Sequence, residues 1–326
     1  MGHAGQCFLR YAHRNASCCT QLPVGQVSVG AMTQAESHTL ESHGSRWAAA
    51  LSASRAKEYL RCPLQYRLHV VDQVREDPTL ATAAGTLVHS VLEHLFDVPA
   101  EQRLEEYAQE LVEPLWEKQR VSDARLDTLI EGPDGTRNFL AGVRTVVSQY
   151  FRVEDPRWLE PVGREKLVEV CSADGIRLRG FIDRVDCSPR GDLRVVDYKT
   201  GRAPAPRFID DALFQMRFYA LLLKLTDRLP TRTQLLYLKS GRVLTLDPTP
   251  DDIVDFSSYL TTIWEDIESD ARRGYFEPRR NPLCNWCSMQ ALCPLFDGKT
   301  PEMDQQRLEW LLTTRQAPIS PQSDRA

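Results

Sequence analysis

The chain has 326 residues, 42% of them hydrophobic and 26% charged, ordinary values for a soluble globular protein of one large or two small domains. A net charge of −5 counts against a protein that grips nucleic acid through its whole surface, although a local basic surface is enough for binding. No apolar run approaches the ~18 residues of a membrane span, and Met1–Cys7 lacks the order of a signal peptide, so a cytoplasmic protein without a membrane partner is expected.

Residues 1–46 are rich in Gly, Ser, Gln, Thr and His, show little periodicity and read as a disordered extension. Order is expected from about Trp47. Ser52 or Ser54 can cap a helix that runs through Tyr59 to Arg61 and stops at Cys62-Pro63. A second helix is expected over 64–71 and a third over 86–96, where Val88, Leu92 and Leu95 have helical spacing. Two longer helices follow at about 102–119 and 137–151. The period then changes to two: 166–171, 176–185 and 193–199 read as strands, joined by Asp174-Gly175 and Arg190-Gly191-Asp192. An amphipathic helix over 210–225, a hairpin of 233–238 and 242–246 around Ser240-Gly241, and a long helix over 252–272 complete the core. A short helix near 302–314 precedes a polar tail. Helices, three strands, a helix, two strands and a helix suggest an α/β fold.

The chemistry starts in Val195-Val196-Asp197-Tyr198-Lys199. On a strand, Leu193, Val195, Asp197 and Lys199 share one face, with Arg194, Val196 and Tyr198 on the other. The preceding strand adds Asp183. Hard divalent cations prefer oxygen ligands, so Asp183 and Asp197 are natural ligands and the Tyr198 carbonyl a further one. Lys199 can orient a water or neutralise charge that develops on a phosphate. Taken alone, Asp197 and Lys199 are more commonly a surface ion pair. His89 in a helix is more often structural than a ligand, and Gln215 and Tyr219, four apart, simply share a helix face. Arg202, Arg207, Arg272, Arg273, Arg279 and Arg280 lie near or after this region and read equally well as a solvated surface.

Nine cysteines are many for a cytosolic enzyme. Cys62 stands far upstream, and Cys284, Cys287 and Cys293 form C-x2-C-x5-C. Four thiolates suit structural zinc or an iron–sulfur cluster, and spacing alone leaves both open.

The order Gly85…His89, Gly180…Asp183, Asp197-Tyr198-Lys199, Gln215…Tyr219 resembles the RecB-like branch of the PD-(D/E)XK nuclease superfamily. The resemblance runs from about Leu51 to Cys293, and Ser52-Ala53-Ser54-Arg55 leading to Cys62-Pro63 looks like that branch's opening. It implies a mixed central sheet flanked by helices, with a helical N-terminal lobe and a C-terminal cysteine staple, over residues 47–297. Residues 298–326 are then a short helix and a tail. It implies His89, Asp183 and Asp197 as metal ligands, Lys199 as the catalytic lysine, and Gln215 and Tyr219 as the helix motif. A first-strand acid is also implied, with Glu165 and Glu169 both candidates.

The cysteine set resembles the iron–sulfur nucleases of AddB and Cas4 type, which implies a [4Fe–4S] cluster on Cys62, Cys284, Cys287 and Cys293, with zinc as the alternative. Asp297-Gly298-Lys299-Thr300 lacks the earlier glycine of a phosphate-binding loop, and no other nucleotide-triphosphate site is evident. The expected activity is therefore an Mg2+- or Mn2+-dependent DNA exonuclease in repair or recombination. It would act on single-stranded or duplex ends, alone or beside a separate helicase. A non-catalytic DNA-end binder and a Cas4-like trimming role are the competing readings.

Overall fold

A computed structural model of the chain describes residues 49–205 and 209–315. The expected extension at 1–46, the onset of order near Trp47, Arg207 and the end of the polar tail lie outside these residues. Helices α1 (Ala53–Arg61), α2 (Pro63–Val70), α3 (Leu80–His94), α4 (Glu105–Ser122) and α5 (Gly132–Val153) come first. Strands β1 (Pro161–Cys171), β2 (Arg177–Cys187) and β3 (Leu193–Lys199) follow, then α6 (Ile209–Thr226), β4 (Arg232–Tyr237), β5 (Arg242–Leu246), α7 (Pro250–Arg273) and α8 (Gln305–Leu312).

Local chemistry explains the boundaries. The Ser52 hydroxyl accepts from the Arg55 N–H at 3.3 Å and starts α1, and Cys62 in extended backbone ends it before Pro63 opens α2. Thr249 caps α7 ahead of Pro250, and Gly274, at φ +64°, closes it in the left-handed conformation that glycine adopts without steric cost. Helix α3 begins a turn and a half before the apolar periodicity does. A reciprocal cap between Thr79 and Thr82 starts it there, over an alanine-rich turn with little pattern to read.

The strands form one mixed sheet in the order β1-β2-β3-β4-β5. The β3–β4 pair is parallel, joined through α6, and the other pairs are antiparallel. The pairing of β2 with β3 ends at Arg184–Val196. Leu51 bonds the earlier part of β2 instead: its N–H donates to the Arg177 carbonyl at 2.8 Å, and its carbonyl accepts from the Arg179 N–H at 2.9 Å. The chain just ahead of α1 thus completes the sheet.

Two hydrophobic cores flank this sheet. One joins α1, α2, α6, α7 and α8 to Val168, Ile182, Val185, Leu193 and Val195. The other packs α3, α4 and α5 on Val196, Tyr198, Leu236 and Leu238. The alternation of Val195 and Val196 between them is the strand period read from sequence. In α7, Ile253, Phe256, Leu260, Ile263, Trp264 and Ile267 face the first core at helical spacing, each burial contributing roughly 1.5–3 kcal/mol. Helix α6 is less amphipathic than its sequence suggests. Phe214, Met216, Phe218, Tyr219 and the run Ala220–Leu223 are all buried, because α6 is packed between the sheet and α1 and α7. Its approach depends on Gly180, where a Cβ would stand 2.8 Å from Leu222 Cδ1 and 3.3 Å from Tyr219 Cε1.

Candidate active site

The site lies where β2 and β3 part. Asp183, one residue past the last β2–β3 pair, turns its carboxylate toward β3, and Oδ2 accepts the Tyr198 backbone N–H at 2.7 Å. The carboxylate thereby satisfies a buried donor that a strand carbonyl would otherwise have to meet.

Strand β1 contributes Glu165 at φ +40°, a conformation costing about 1–3 kcal/mol and concentrated at functional sites. Glu165 Oε1 stands 3.6 Å from His89 Nδ1, and Asp183 Oδ2 stands 3.4 Å from the same nitrogen. One ligand atom from each of His89, Glu165 and Asp183 falls within 4.8 Å of the others. Glu169 is further along β1 and faces Arg179 at 3.7 Å. Of the two first-strand acids, Glu165 is the one brought to the site.

His89 Nε2 lies 3.0 Å from the Tyr198 carbonyl oxygen. With the proton on Nε2, this bond aims Nδ1 at the acids, as a backbone carbonyl does behind many metal-bound imidazoles. The Tyr198 carbonyl, expected among the ligands, meets His89 with one of its two lone pairs. Burial works against a charge on His89, but hydrogen bonds to Asp183 and Glu165 outweigh it and push the imidazole up to about 10.

Asp197 is 3% exposed, so its contact with Lys199 is no surface ion pair. Its Oδ1 accepts from Gln215 Nε2 at 2.9 Å and from the Tyr219 hydroxyl at 3.3 Å, and Gln215 also donates to Tyr219 at 2.9 Å. The Gln215–Tyr219 pair, expected to bind substrate or position Lys199, grips Asp197 instead. Lys199 Nζ stands 2.6 Å from the other Asp197 oxygen, Oδ2, a close ion pair. Burial, then the neighbouring Asp183, pushes the Asp197 carboxyl up to about 6 against the pull of Lys199 and His89. A buried carboxylate beside a compact histidine–glutamate–aspartate group is a donor set that fits a hard divalent cation.

Sequence reasoning missed two cations. Lys57 on α1 is buried enough to be depressed, with Asp211, Lys199 and Asp197 among the charges it feels, and its Nζ lies 3.4 Å from the Asp211 carbonyl. Arg184 is buried behind the site. The anticipated arginines are largely engaged within the fold. Arg272 pairs with Glu268 at 3.1 Å, Arg273 with Asp270, and Arg279 donates to the Leu60 carbonyl at 2.6 Å.

The sequence profile of the PD-(D/E)XK nuclease superfamily matches residues 50–294. The chain belongs to that superfamily. The Gene 69 proteins of Mycobacterium phages L5 and D29 are 29% and 27% identical to this PD-(D/E)XK nuclease, each match spanning 75% of the chain and 96% of the relative. A crystal structure from Eubacterium rectale, described provisionally as an exonuclease, matches with TM-score 0.49 and 13% identity, covering 78% of this chain and 92% of that one. Nucleases of this superfamily typically use divalent metals, in keeping with the acidic group at His89. Among the described residues, no helix is long and apolar enough to cross a membrane.

Away from this centre the nuclease gathers its cysteines. Cys62, Cys287 and Cys293 pack against Leu64, Leu68 and Met289, joining the start of α2 to the segment after α7. Burial raises the Cys287 thiol, and Cys62, Cys284 and Cys293 are close enough to raise it further. Backbone N–H groups point at two of the sulfurs: Arg279 N to Cys62 Sγ at 3.5 Å and Asn281 N to Cys284 Sγ at 3.2 Å. Convergent thiols with N–H donors suit a thiolate-bound metal or cluster, since such donors tune cluster sulfurs.

Proposed function

We propose that this PD-(D/E)XK nuclease is an Mg2+- or Mn2+-dependent deoxyribonuclease, an exonuclease of RecB-like type working at single-stranded or duplex DNA ends in repair or recombination. The observation that carries this reading is the grouping of His89, Glu165 and Asp183 within 4.8 Å, with Asp197 and Lys199 on the adjoining strand. The motif order from Gly85 to Tyr219 supports the RecB-like branch, and with it a helicase as a separate partner and a cytoplasmic location.

His89, Glu165, Asp183 and Asp197 would hold the cation. When bound, it supplies an acidified water and a counter-charge for the phosphate. Asp197 is held for this by Gln215 and Tyr219 on one oxygen. The Lys199 side chain, 31% exposed against 4% for Asp197, places a cation at the mouth of the site, where it can neutralise charge growing on the phosphate. Intact ligands and lysine together favour cleavage over simple end binding.

We assign Cys62, Cys284, Cys287 and Cys293 to a [4Fe–4S] cluster. The C-x2-C-x5-C spacing with Cys62 upstream, the pattern of the iron–sulfur nucleases, supports the cluster over zinc, which four thiolates also suit. The cluster's role is structural, tying α2 to the segment after α7 by closing a long loop.

The test is cleavage of end-labelled single- and double-stranded DNA by purified protein with each metal in turn. Activity should require Mg2+ or Mn2+ and vanish in Asp197→Ala and Lys199→Ala. Undiminished cleavage in both variants would sink the assignment. For the cluster, protein purified without oxygen should be brown, and a colourless protein with stoichiometric zinc would reject it.

A further inference from the structure

Arg184 follows Asp183 on β2 and is 1% exposed. Its Nη1 donates to the Tyr198 hydroxyl at 2.6 Å and the Tyr150 hydroxyl at 3.3 Å. Its Nη2 donates to Glu154 at 2.8 and 3.0 Å and to Asp186 at 3.2 Å, and its Nε lies 3.0 Å from the other Asp186 oxygen. The Phe96 ring lies 5.4 Å from its central carbon. A charge buried this deeply is tolerated only when its donors are matched, and the partners here come from α5, β2 and β3 together. Arg194 supports the same acids, at 2.7 Å from Asp186 and 3.1 Å from Glu154.

Tyr198 stands between Asp197 and Lys199. Its hydroxyl is held by Arg184, its N–H is given to Asp183 at 2.7 Å, and its carbonyl takes His89 at 3.0 Å. Its ring meets His89 edge-on at 5.9 Å and Tyr150 at 5.8 Å. A single residue is therefore pinned at its side-chain tip on one face of the sheet, while its main chain touches two candidate ligands. The peptide cannot shift toward or away from them without dragging the pinned ring.

We infer that Arg184, acting through the Tyr198 hydroxyl, is a positioning residue that sets the spacing of Asp183 and His89 for the cation. This rests on the proposed metal centre. Partners that orient ligands in this way typically govern metal affinity 10–100-fold.

Arg184→Met would strand Glu154 and Asp186 and is a poor first test, because it risks misfolding. Tyr198→Phe removes one hydroxyl and leaves both acids partnered. Tyr150→Phe is the matched control, since it removes a hydroxyl from the same guanidinium without touching the site backbone. The measurement is Mn2+ binding to the metal-free full chain, read by electron paramagnetic resonance of free Mn2+, with thermal unfolding in parallel. Tyr198→Phe should weaken Mn2+ binding about tenfold, Tyr150→Phe should leave it as in the wild type, and both should unfold at similar, slightly lowered temperatures. Equal Mn2+ affinity in Tyr198→Phe and wild type, or equal weakening in both variants, overturns the inference. A wild-type protein that binds no Mn2+ overturns the metal centre beneath it, which separates the two failures.

Discussion

Gln215 reaches from α6 to hold Asp197, its amide nitrogen 2.9 Å from Oδ1. Among the described residues, Tyr219 alone shares that oxygen with it. Gln215→Ala should therefore lower activity about 10–100-fold while leaving the fold intact. Asp197 already sits near 6 because burial and Asp183 disfavour its charge, and losing a donor raises it further. The acid limb of the pH–rate profile should move to higher pH. A rate loss with an unmoved acid limb would mean that Gln215 acts elsewhere.

Cation binding should release a proton from His89. The imidazole is pushed up to about 10 by Asp183 and Glu165 despite its burial, so it is charged at pH 8 in the metal-free protein, whereas a ligating histidine must be neutral. Titration calorimetry in buffers of different ionisation enthalpy should report about one proton released per ion at that pH. His89→Ala should abolish the release. The sign also fixes a stability trend. The folded value lies above the ordinary 6.5, so His89 stabilises the metal-free fold fully below that value, and the contribution fades as pH rises toward about 10.

Gly180→Ala should destabilise the protein by about 1–3 kcal/mol through overpacking. The new methyl would stand 2.8 Å from Leu222 and press on Tyr219, whose hydroxyl supports Asp197. Denaturant unfolding and cleavage rate should fall together. Stability lost without any loss of rate would show that the push stops at Leu222.

Cys284→Ser should lower the unfolding temperature and the visible colour of anaerobically purified protein before it alters chemistry at the His89–Glu165–Asp183 group. Unchanged thermal stability with a full loss of colour would argue that the cysteines carry a cofactor without a structural role.

Much of this architecture was legible in the residues because the hydrophobic period changes from helical to two and back, although β1 begins at Pro161, five residues before the expected 166, where its residues do not alternate cleanly. What escaped lay in three dimensions. Glu165 and Glu169 are four apart on one strand and are equivalent by period; the backbone turn at Glu165, φ +40°, distinguishes them. Gln215 and Tyr219 announced a shared helix face but not its target, which depends on how closely Gly180 admits α6. Arg184 reads as a surface charge until Glu154, thirty residues earlier at the end of α5, is folded against it. Nothing in the sequence places His89 Nε2 beside the Tyr198 carbonyl; that contact comes only from the packing of α3 on β3.

The nuclease centre draws on elements from both cores. His89 belongs to α3 and the lobe on one side of the sheet, while Asp197 is gripped by α6 from the other. A cation held by His89, Glu165, Asp183 and Asp197 would therefore draw its ligands from both sides. Occupancy would couple lobe and sheet into one unfolding unit, so that substrate-competent protein is also the protein in which the halves no longer breathe independently.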